Sequence, residues 1–287
     1  MNPFDWRGPQ FLAFYLVFAV LVLVGAWLFR RMKESGPAPK MNLDPYAIAY
    51  LRGGENEAVR VALVSLIDRG LLTTTKSKVV RASHADPAAV RHPIEQMILK
   101  KLGLPREASD IFKDASLDLV CAPFQTALQE HALLPDTAAQ QSRWEVFSGA
   151  LALLLGVGGI KVFLGLSRDR PVVILVVLMV VVTFFAWKVC FPRITARGQA
   201  MLEDLRALYA GLRLRAATIR AGGTTIDAAM LAAVFGIGLL PAAGFGYTRT
   251  LFPQAASGNS STASCGSSCG SSCGGGGCGG GCGGCGS

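Results

Sequence analysis

The chain has 287 residues, of which 51% are apolar and only 16% charged, and its formal net charge at pH 7 is +9. This composition excludes an ordinary soluble domain, because the apolar excess is concentrated in a few long stretches. The basic excess is concentrated beside those stretches: residues 188–225 contain seven Lys or Arg against two Asp or Glu. Basic membrane flanks account for this charge, so we predict contact with a lipid bilayer and no nucleic-acid partner.

The first apolar stretch covers residues 11–29 and follows a short N-terminal segment, residues 1–10. Its 19 residues would rise about 28 Å as a helix, close to the hydrocarbon thickness of a bilayer. A cleaved signal peptide fits less well, since Arg7 is the only basic residue before the stretch and no small-residue cleavage site closes it. Three basic residues follow at once: Arg30, Arg31 and Lys33. The positive-inside rule therefore places residues 1–10 outside and the chain after the first span in the cytoplasm.

Residues 30–143 are predicted to form a small cytoplasmic α+β domain. Asp44-Pro45 is typical of a helix start and Gly53-Gly54 of a helix end, and a Thr- and Val-rich stretch is typical of β structure. Pro123 is expected to break a helix or to stand in its first turn. The predicted elements are helices over 45–52, 55–69 and 93–102, a β segment over 71–82, and one or two helices within 110–134.

Two helices joined by a turn and followed by a basic β segment resemble a winged helix. The second helix carries Glu55, Glu57 and Asp68 beside two arginines, so its face would repel phosphates as much as attract them. We therefore predict winged-helix-like packing that serves as a scaffold for an unidentified protein partner, in preference to DNA binding.

Residues 144–166 and 171–191 are predicted as the second and third membrane-spanning helices, joined as a tight hairpin. Four small residues lie at helical spacing on one face of the second span: Gly149, Ala152, Gly156 and Gly159. Small residues let helix backbones approach closely, so this stripe is a candidate seam for helix–helix association. The alternative is that Gly and Ala are simply common in membrane helices.

The region after the third span has two parts. Residues 192–225 include a basic amphipathic helix, which favours the anionic cytoplasmic membrane surface. Residues 226–247 are apolar, but Pro241 interrupts them after about 13 residues, short of the roughly 18 that a span needs. A helix lying against the body or the membrane surface is favoured, and a fourth span is the alternative. The choice decides which side of the membrane carries the C-terminal segment.

Residues 248–287 are predicted to be a disordered tail rich in Gly, Ser and Cys. The last 23 residues are 12 Gly, 6 Cys and 5 Ser, without apolar or charged side chains, so they have nothing to bury around a core. Their only chemistry is that of six thiols: Cys265, Cys269, Cys273, Cys278, Cys282 and Cys285.

These thiols allow several interpretations. Closely spaced thiolates bind soft metals such as Zn²⁺ or Cu(I), although only Cys282 and Cys285 form a C-x2-C pair. In an oxidising compartment the same thiols would form disulfides. The tail is alternatively a substrate that another enzyme modifies or cleaves, or a low-complexity extension without a specific role.

The sequence predicts no catalytic residue and no bound cofactor in the body of the chain. The three histidines are isolated and lack metal-ligand spacing, and nucleotide-binding and hydrolase motifs are missing. Asp110, Asp114 and Asp118 are spaced to share one helix face, for which a solvated surface is favoured over a metal or acid–base site. Cys121 and Cys190 are expected to be ordinary buried residues. We therefore predict that the protein is not an enzyme.

Three segments carry a family resemblance: residues 2–11 (Asn-Pro-Phe-Asp-Trp-Arg-Gly-Pro-Gln-Phe), residues 43–54 (Leu-Asp-Pro-Tyr-Ala-Ile-Ala-Tyr-Leu-Arg-Gly-Gly) and residues 66–72 (Leu-Ile-Asp-Arg-Gly-Leu-Leu). Together with the tail, they resemble a family of bacterial membrane proteins that share an N-terminal body and often end in a Gly- or Cys-rich tail. The likeness covers roughly residues 2–250. It implies a multi-pass protein of the bacterial inner membrane, with no assigned activity and no catalytic residues.

The predicted fold is a mainly α membrane protein with three or four transmembrane helices, a winged-helix-like α+β cytoplasmic domain and a disordered tail. The predicted function is a non-enzymatic scaffold that displays the thiol-rich tail. Two alternatives stay open: a precursor whose tail is modified or released as a peptide, and soft-metal binding or trafficking by the tail.

Overall fold

The structure is a computed structural model that describes most of the chain before the predicted tail. The described residues are 8–36, 44–75, 77–112, 114, 116–166, 173–219, 222 and 225–253. All six cysteines of the predicted tail lie outside the described residues, as does the predicted disorder from residue 254 onward.

The described chain is mostly helical, with one small sheet. In chain order the helices are α1 (Gly8–Glu34), α2 (Pro45–Gly53), α3 (Glu55–Asp68), α4 (Pro93–Lys101), α5 (Ala108–Ile111), α6 (Ser116–Glu130), α7 (Thr137–Leu166), α8 (Val173–Cys190), α9 (Ala196–Leu208), α10 (Ala210–Leu214), α11 (Thr225–Phe235), α12 (Ala242–Phe245) and α13 (Tyr247–Leu251). The strands are β1 (Leu72–Thr75), β2 (Lys78–Arg81) and β3 (Arg106–Glu107). They form an antiparallel sheet in the order β1-β2-β3, with Leu72 opposite Arg81.

Three of the described helices are long and apolar enough to cross a membrane: Gln10–Glu34 in α1, Thr137–Phe163 in α7, and α8. They pack on one another through a cluster that includes Tyr15 on α1, Leu154 on α7 and Ala186 on α8. We call α1, α7 and α8 the membrane unit. The prediction of a helical protein with three candidate membrane-spanning helices is thereby confirmed. Helix α7 begins at residue 137, seven residues before the predicted span.

The remaining helices and the sheet form one helical domain, consisting of α2–α6, β1–β3 and α9–α13. Its core is continuous and unites side chains from both halves of the sequence, with Leu63 on α3 and Leu231 on α11 each 0% exposed. Helix α11 packs across both α2 and α3. The domain predicted over residues 30–143 is therefore incomplete, because the apolar surface of α2 and α3 is covered only when residues 225–253 return to it. The α7–α8 hairpin is inserted between the two halves.

The stretch predicted as an apolar helix over 226–247 lies in this core. Helix α11 has 11 residues and rises about 16 Å, too short to span a bilayer. It lies against the body of the protein, which is the alternative that the sequence favours. The folded chain also extends beyond the predicted tail boundary at residue 248, because Leu251, the last residue of α13, and the following Phe252 are buried. The domain therefore includes residues beyond 248, up to Phe252.

Two further boundaries differ from the prediction. The basic helix of residues 192–225 is two helices, α9 and α10, separated by a turn at Tyr209. Met201 and Leu202 face the core of the domain, whereas Leu208 and Leu214 are 74% and 87% exposed. Helix α6 continues through Pro123, which the sequence predicts as a break or a first-turn residue.

Helix α9 is fixed to the domain at its first turn. The Thr195 hydroxyl accepts a hydrogen bond from the Gly198 backbone nitrogen at 3.1 Å and lies 2.8 Å from the Ala132 carbonyl oxygen, to which it donates. A Cβ atom at Gly198 would approach the Leu133 carbonyl oxygen to 2.4 Å, so only glycine allows this contact. The N-terminal cap of α9 therefore docks the second half of the domain on the turn that follows α6.

Candidate functional site

The thiols that the structure describes are buried. Cys121 on α6 and Cys190 at the end of α8 are 2% and 1% exposed, and neither is in a disulfide. Burial is the main cause that raises the pKa of the Cys121 thiol to about 12. Because a thiolate is the nucleophile and metal ligand, Cys121 is inert at neutral pH.

The three aspartates predicted to share a helix face stand on different elements. Asp110 lies in α5, Asp114 lies between α5 and α6, and Asp118 lies in α6. Asp114 forms an ion pair with Lys101 and accepts a hydrogen bond from the Ser116 backbone nitrogen at 3.2 Å. The hydrogen bond from Lys101 is the main cause that lowers the pKa of Asp114 to about 2. Asp114 therefore hydrogen-bonds to the first residue of α6. No cluster of three or more metal-ligating side chains occurs within the described ranges.

Asp118 instead lies beside Glu55, at the start of α3. Burial raises the pKa of the Glu55 carboxyl to about 7, with a further contribution from a hydrogen bond and charge repulsion involving Asp118. The two acids come from helices that are far apart in the sequence. They form a pH-sensitive contact between α3 and α6.

A buried carboxylate on α4 ties three helices of the domain together. Glu95 is 4% exposed, forms an ion pair with Arg69, and accepts hydrogen bonds from the hydroxyl groups of Tyr46 and Ser65. Burial, followed by the Glu95 charge, raises the pKa of the Tyr46 hydroxyl above its usual range. The ring of His92 packs on Tyr46 with a centroid distance of 4.4 Å. Burial lowers the pKa of His92. With its charge paired and its Oε1 atom hydrogen-bonded, Glu95 stabilises the domain.

A second group of buried charges connects the membrane unit to the helical domain. The Glu34 carboxylate, at the end of α1, lies 2.6 Å from Nε of Arg143 on α7 and 3.2 Å from Nη1 of Arg30. It also accepts a hydrogen bond from the backbone nitrogen of Ala196, the first residue of α9, at 3.3 Å. Arg143 donates a further hydrogen bond to the Pro192 carbonyl oxygen at 2.7 Å. One carboxylate thus ties α1, α7 and the segment after α8 together, and we call this group the charged junction.

The charged junction borders a pocket of about 290 Å³ between α1 and α7. Its lining consists of Arg30, Lys33, Glu34, Ala139, Ser142, Arg143 and Val146. Three cationic side chains therefore face one carboxylate. Arg30 and Arg143 are only 8% and 4% exposed, yet Nε of Arg30 and Nη2 of Arg143 have no hydrogen-bond partner among the described residues. Both nitrogens are inaccessible to solvent, so the charge of the lining, not these two atoms, makes this pocket a candidate binding site.

Three tryptophans place this pocket at one end of the membrane unit. Trp27 is 38% exposed on α1, Trp144 is 56% exposed on α7, and Trp187 is 61% exposed on α8. Exposed tryptophans near the same ends of spanning helices mark a membrane–water interface. Trp144 follows Arg143 directly in sequence and Trp27 is three residues before Arg30, so the charged junction lies at the end of the membrane unit that carries these tryptophans.

Most of the stripe of small residues on α7 faces away from the other two membrane helices, but Gly159 lines an apolar groove between α7 and α8. Cβ atoms added at Gly149, Gly156 or Gly159 would meet no atom within 4 Å, and Ala152 is exposed. Gly158, which lies outside the stripe, is the close-packed glycine: a Cβ atom there would approach Sδ of Met179 on α8 to 2.7 Å. The predicted stripe therefore makes no close backbone contact within the membrane unit, and its association with another helix stays a prediction.

The sequence indicates Arg30 and Lys33 as orientation signals but gives no sign of the pocket. Glu34 and Arg143 are separated by 109 residues, and only the folding of α7 against α1 brings them together. The one local signal is that Glu34 is an acidic residue within a basic flank.

The fold defines a class of protein, a helical domain split by an inserted pair of candidate membrane-spanning helices and preceded by a third. Comparison with protein-family models, with curated proteins and with solved structures finds no match for this chain.

Proposed function

We propose that this protein is a non-enzymatic membrane scaffold that holds its thiol-rich C-terminal segment at the cytoplasmic face of a bacterial inner membrane. One observation carries the proposal: α11–α13 pack in the same core as α2 and α3. The ring of Phe252, two residues before the chain leaves the described range, packs edge-on against Phe112 with a centroid distance of 5.9 Å. The thiol-rich segment therefore starts on the same side of the membrane as the helical domain.

The charge distribution supports a cytoplasmic position for that side. Arg30, Arg31 and Lys33 lie at the C-terminal end of α1, which carries the helical domain. At the same end of the membrane unit, Lys188 lies in the last turn of α8 and Arg193 follows that helix. Cytoplasmic loops carry an excess of Lys and Arg in membrane proteins. The family resemblance points to the same membrane.

A scaffold role also agrees with the surfaces of α2 and α3. These helices and the β1–β2 hairpin follow the order of a winged helix, which supports a winged-helix-like domain. Residues 58, 59 and 61–66 of α3 are buried, largely against α2 and α11, so little of this helix is open to a DNA groove. Protein interaction is therefore the favoured use of the domain.

A cytoplasmic position would determine the chemistry of the tail. The cytoplasm keeps thiols reduced, so Cys265, Cys269 and the four cysteines that follow would not form stable disulfides. Reduced thiols remain available for Zn²⁺ or Cu(I) binding, or for modification by another enzyme. The precursor alternative shares this geometry and differs only in release of the tail.

Membrane topology tests the proposal directly. In a background without native cysteines, three single-cysteine proteins are compared in intact cells: Ser77→Cys in the β hairpin, Ser167→Cys in the predicted outer loop, and one that keeps only Cys265. We expect a membrane-impermeant maleimide to label only the Ser167→Cys protein, and all three to react after the membrane is permeabilised.

The labelling pattern distinguishes the ways in which the proposal fails. Labelling of Ser77→Cys and Cys265 but not Ser167→Cys would reverse the orientation. Labelling of Cys265 without Ser77→Cys would separate the tail from the helical domain and contradict the scaffold proposal. A free C-terminal peptide in the same cells would support the precursor.

A further inference from the structure

The pocket at the charged junction has a charge that nothing in the described chain balances. Arg30, Lys33 and Arg143 contribute three positive charges against the single negative charge of Glu34. Glu34 is already occupied by Arg30, Arg143 and the Ala196 backbone nitrogen. The pocket therefore keeps an excess of two positive charges in a partly buried place, where an anion is strongly favoured.

The donors of the pocket are suited to phosphate. Guanidinium groups donate in a planar fork that matches the oxygens of phosphate, and both Arg30 and Arg143 line the pocket. Lys33 Nζ lies 3.2 Å from the Ser142 hydroxyl oxygen, to which it donates, so a mobile ammonium group and a hydroxyl group stand together at the rim. A volume of about 290 Å³ holds a phosphate group together with part of the group it esterifies.

The position of the pocket identifies the kind of phosphate. Trp27 and Trp144 place it at the membrane–water interface, and Val146 and Ala139 add apolar lining beside the charged groups. Basic pockets between membrane helices are suited to anionic lipid headgroups. We propose that this pocket binds the phosphate group of an anionic phospholipid headgroup, and that the bound lipid joins α1 to α7 at the base of the helical domain.

The proposal does not depend on the tail or on the orientation of the protein. It needs only that α1 and α7 lie in a bilayer and that the pocket opens at the interface. Its failure therefore leaves the proposed scaffold function untouched, and the reverse also holds.

The test uses the full-length protein in an uncharged detergent. Thermal unfolding is followed by tryptophan fluorescence while short-chain phosphatidylglycerol, short-chain phosphatidylcholine or inorganic phosphate is titrated at constant ionic strength. We expect phosphatidylglycerol to raise the melting temperature in a saturable way, with phosphatidylcholine and inorganic phosphate giving much smaller shifts at equal concentration.

Three variants connect that shift to the pocket. Arg143→Gln removes a buried donor and should weaken the apparent affinity for phosphatidylglycerol at least about tenfold, and Lys33→Gln about threefold to tenfold. Arg31→Gln is the matched control, because Arg31 is adjacent and exposed but lies over the Trp27 ring at 5.1 Å and does not line the pocket. It should stay within about twofold of the unchanged protein.

Lys33→Gln keeps the test decisive if Arg143→Gln fails to fold, since Lys33 is exposed and its ammonium group donates to the Ser142 hydroxyl oxygen. Equal shifts with phosphatidylglycerol and phosphatidylcholine would overturn the proposal, as would an unchanged affinity in Lys33→Gln or an equal loss in Arg31→Gln. A saturable shift with inorganic phosphate that disappears in Lys33→Gln would overturn the lipid assignment and leave a site for a soluble phosphate compound.

Discussion

The helical domain buries many of its apolar side chains, whereas the membrane unit leaves many of its apolar side chains exposed. In the domain, Leu51, Leu63 and Leu231 are 0% exposed, whereas in the membrane unit Leu21 is 65% and Val177 57% exposed. In water, so large an apolar surface would cause association, but lipid tails are as apolar as leucine and solvate it. Burial against other side chains stabilises the domain, whereas the membrane unit leaves most of its apolar surface exposed, which is compatible with contact with a lipid bilayer.

Buried charges differ between the two regions as well. Glu95 in the domain is surrounded by three side chains that pair with it. At the base of the membrane unit, Arg143 is just as buried but keeps Nη2 without a partner among the described residues. Glu95 is thus paired within the domain, whereas at the junction three cationic side chains line a pocket with one carboxylate.

The largest effect is expected from the same truncation made once in each region. Leu231→Ala in α11 should destabilise the domain by about 2–5 kcal/mol, because it leaves a cavity in a closed core. Leu153→Ala on α7 is the matched change at a side chain that is 56% exposed, and we expect about 0.5 kcal/mol or less. Thermal unfolding in detergent measures both, with far-UV circular dichroism for the whole chain and tryptophan fluorescence for the membrane unit. Equal losses in the two variants would show that α11 is not part of a closed core.

The paired carboxylate of the domain is expected to matter less than the core. Glu95→Gln keeps the shape of the side chain but removes its charge, so Arg69 loses its ion pair and the loss should be about 1–3 kcal/mol. The exposed Glu107→Gln on β3 is the control and should change stability by less than about 0.5 kcal/mol. Chemical denaturation at neutral pH measures the free energy of unfolding of both variants and of the unchanged protein. A Glu95→Gln protein as stable as the control would mean that the network does not stabilise the domain.

A smaller, pH-dependent effect is expected at Glu55. Its folded-state pKa of about 7 lies above the ordinary value of 4.5, so the folded protein binds more protons than the unfolded chain between these values. Stability should therefore fall as the pH rises from about 5 to 7. Glu55→Gln should flatten this dependence, measured as the melting temperature against pH.

The pH profile of Glu55→Gln must be compared with that of the unchanged protein, because His92 acts in the opposite direction. Burial lowers the pKa of His92, so its contribution to stability is lost as the pH falls through the unfolded value of about 6.5. The difference between the two profiles isolates Glu55. If the profiles run parallel between pH 5 and 7, the contact with Asp118 does not perturb this carboxyl group.

Local elements of both regions follow from the sequence, since local physics determines them. Asp44-Pro45 and Gly54 bound α2 in the structure as the capping pattern predicts, and apolar stretches of about 20 residues mark the three candidate spans. The amphipathic pattern likewise predicts α3 to within one residue at its C-terminal end.

Long-range packing could not be predicted in the same way. Nothing within α11 shows that its partners are α2 and α3, more than 150 residues earlier, because an apolar helix fits a protein core or a membrane equally well. The charged junction depends on the contact between Glu34 and Arg143, which the sequence places 109 residues apart. The stripe of small residues did not predict the close contact between α7 and α8. The glycine that approaches α8 is Gly158, which lies about 100° around the helix from Gly159.

The smallest effect is expected where the chain leaves the domain. Removing residues 254–287 should change the melting temperature by about one degree or less, because a segment with no apolar side chains in its last 23 residues gains nothing to offset an ordering entropy of roughly 1–2 kcal/mol per residue. Removing residues 247–287 takes away α13 with Leu251 and Phe252, and should lower the melting temperature by several degrees. Both measurements are made on the protein in detergent with reductant and chelator present, so that neither disulfides nor metals order the thiols. A drop of several degrees in the shorter deletion would make the thiol-rich segment part of the folded core. Equal melting temperatures in all three proteins would instead remove α13 from that core, and with it the argument that the tail starts on the helical domain.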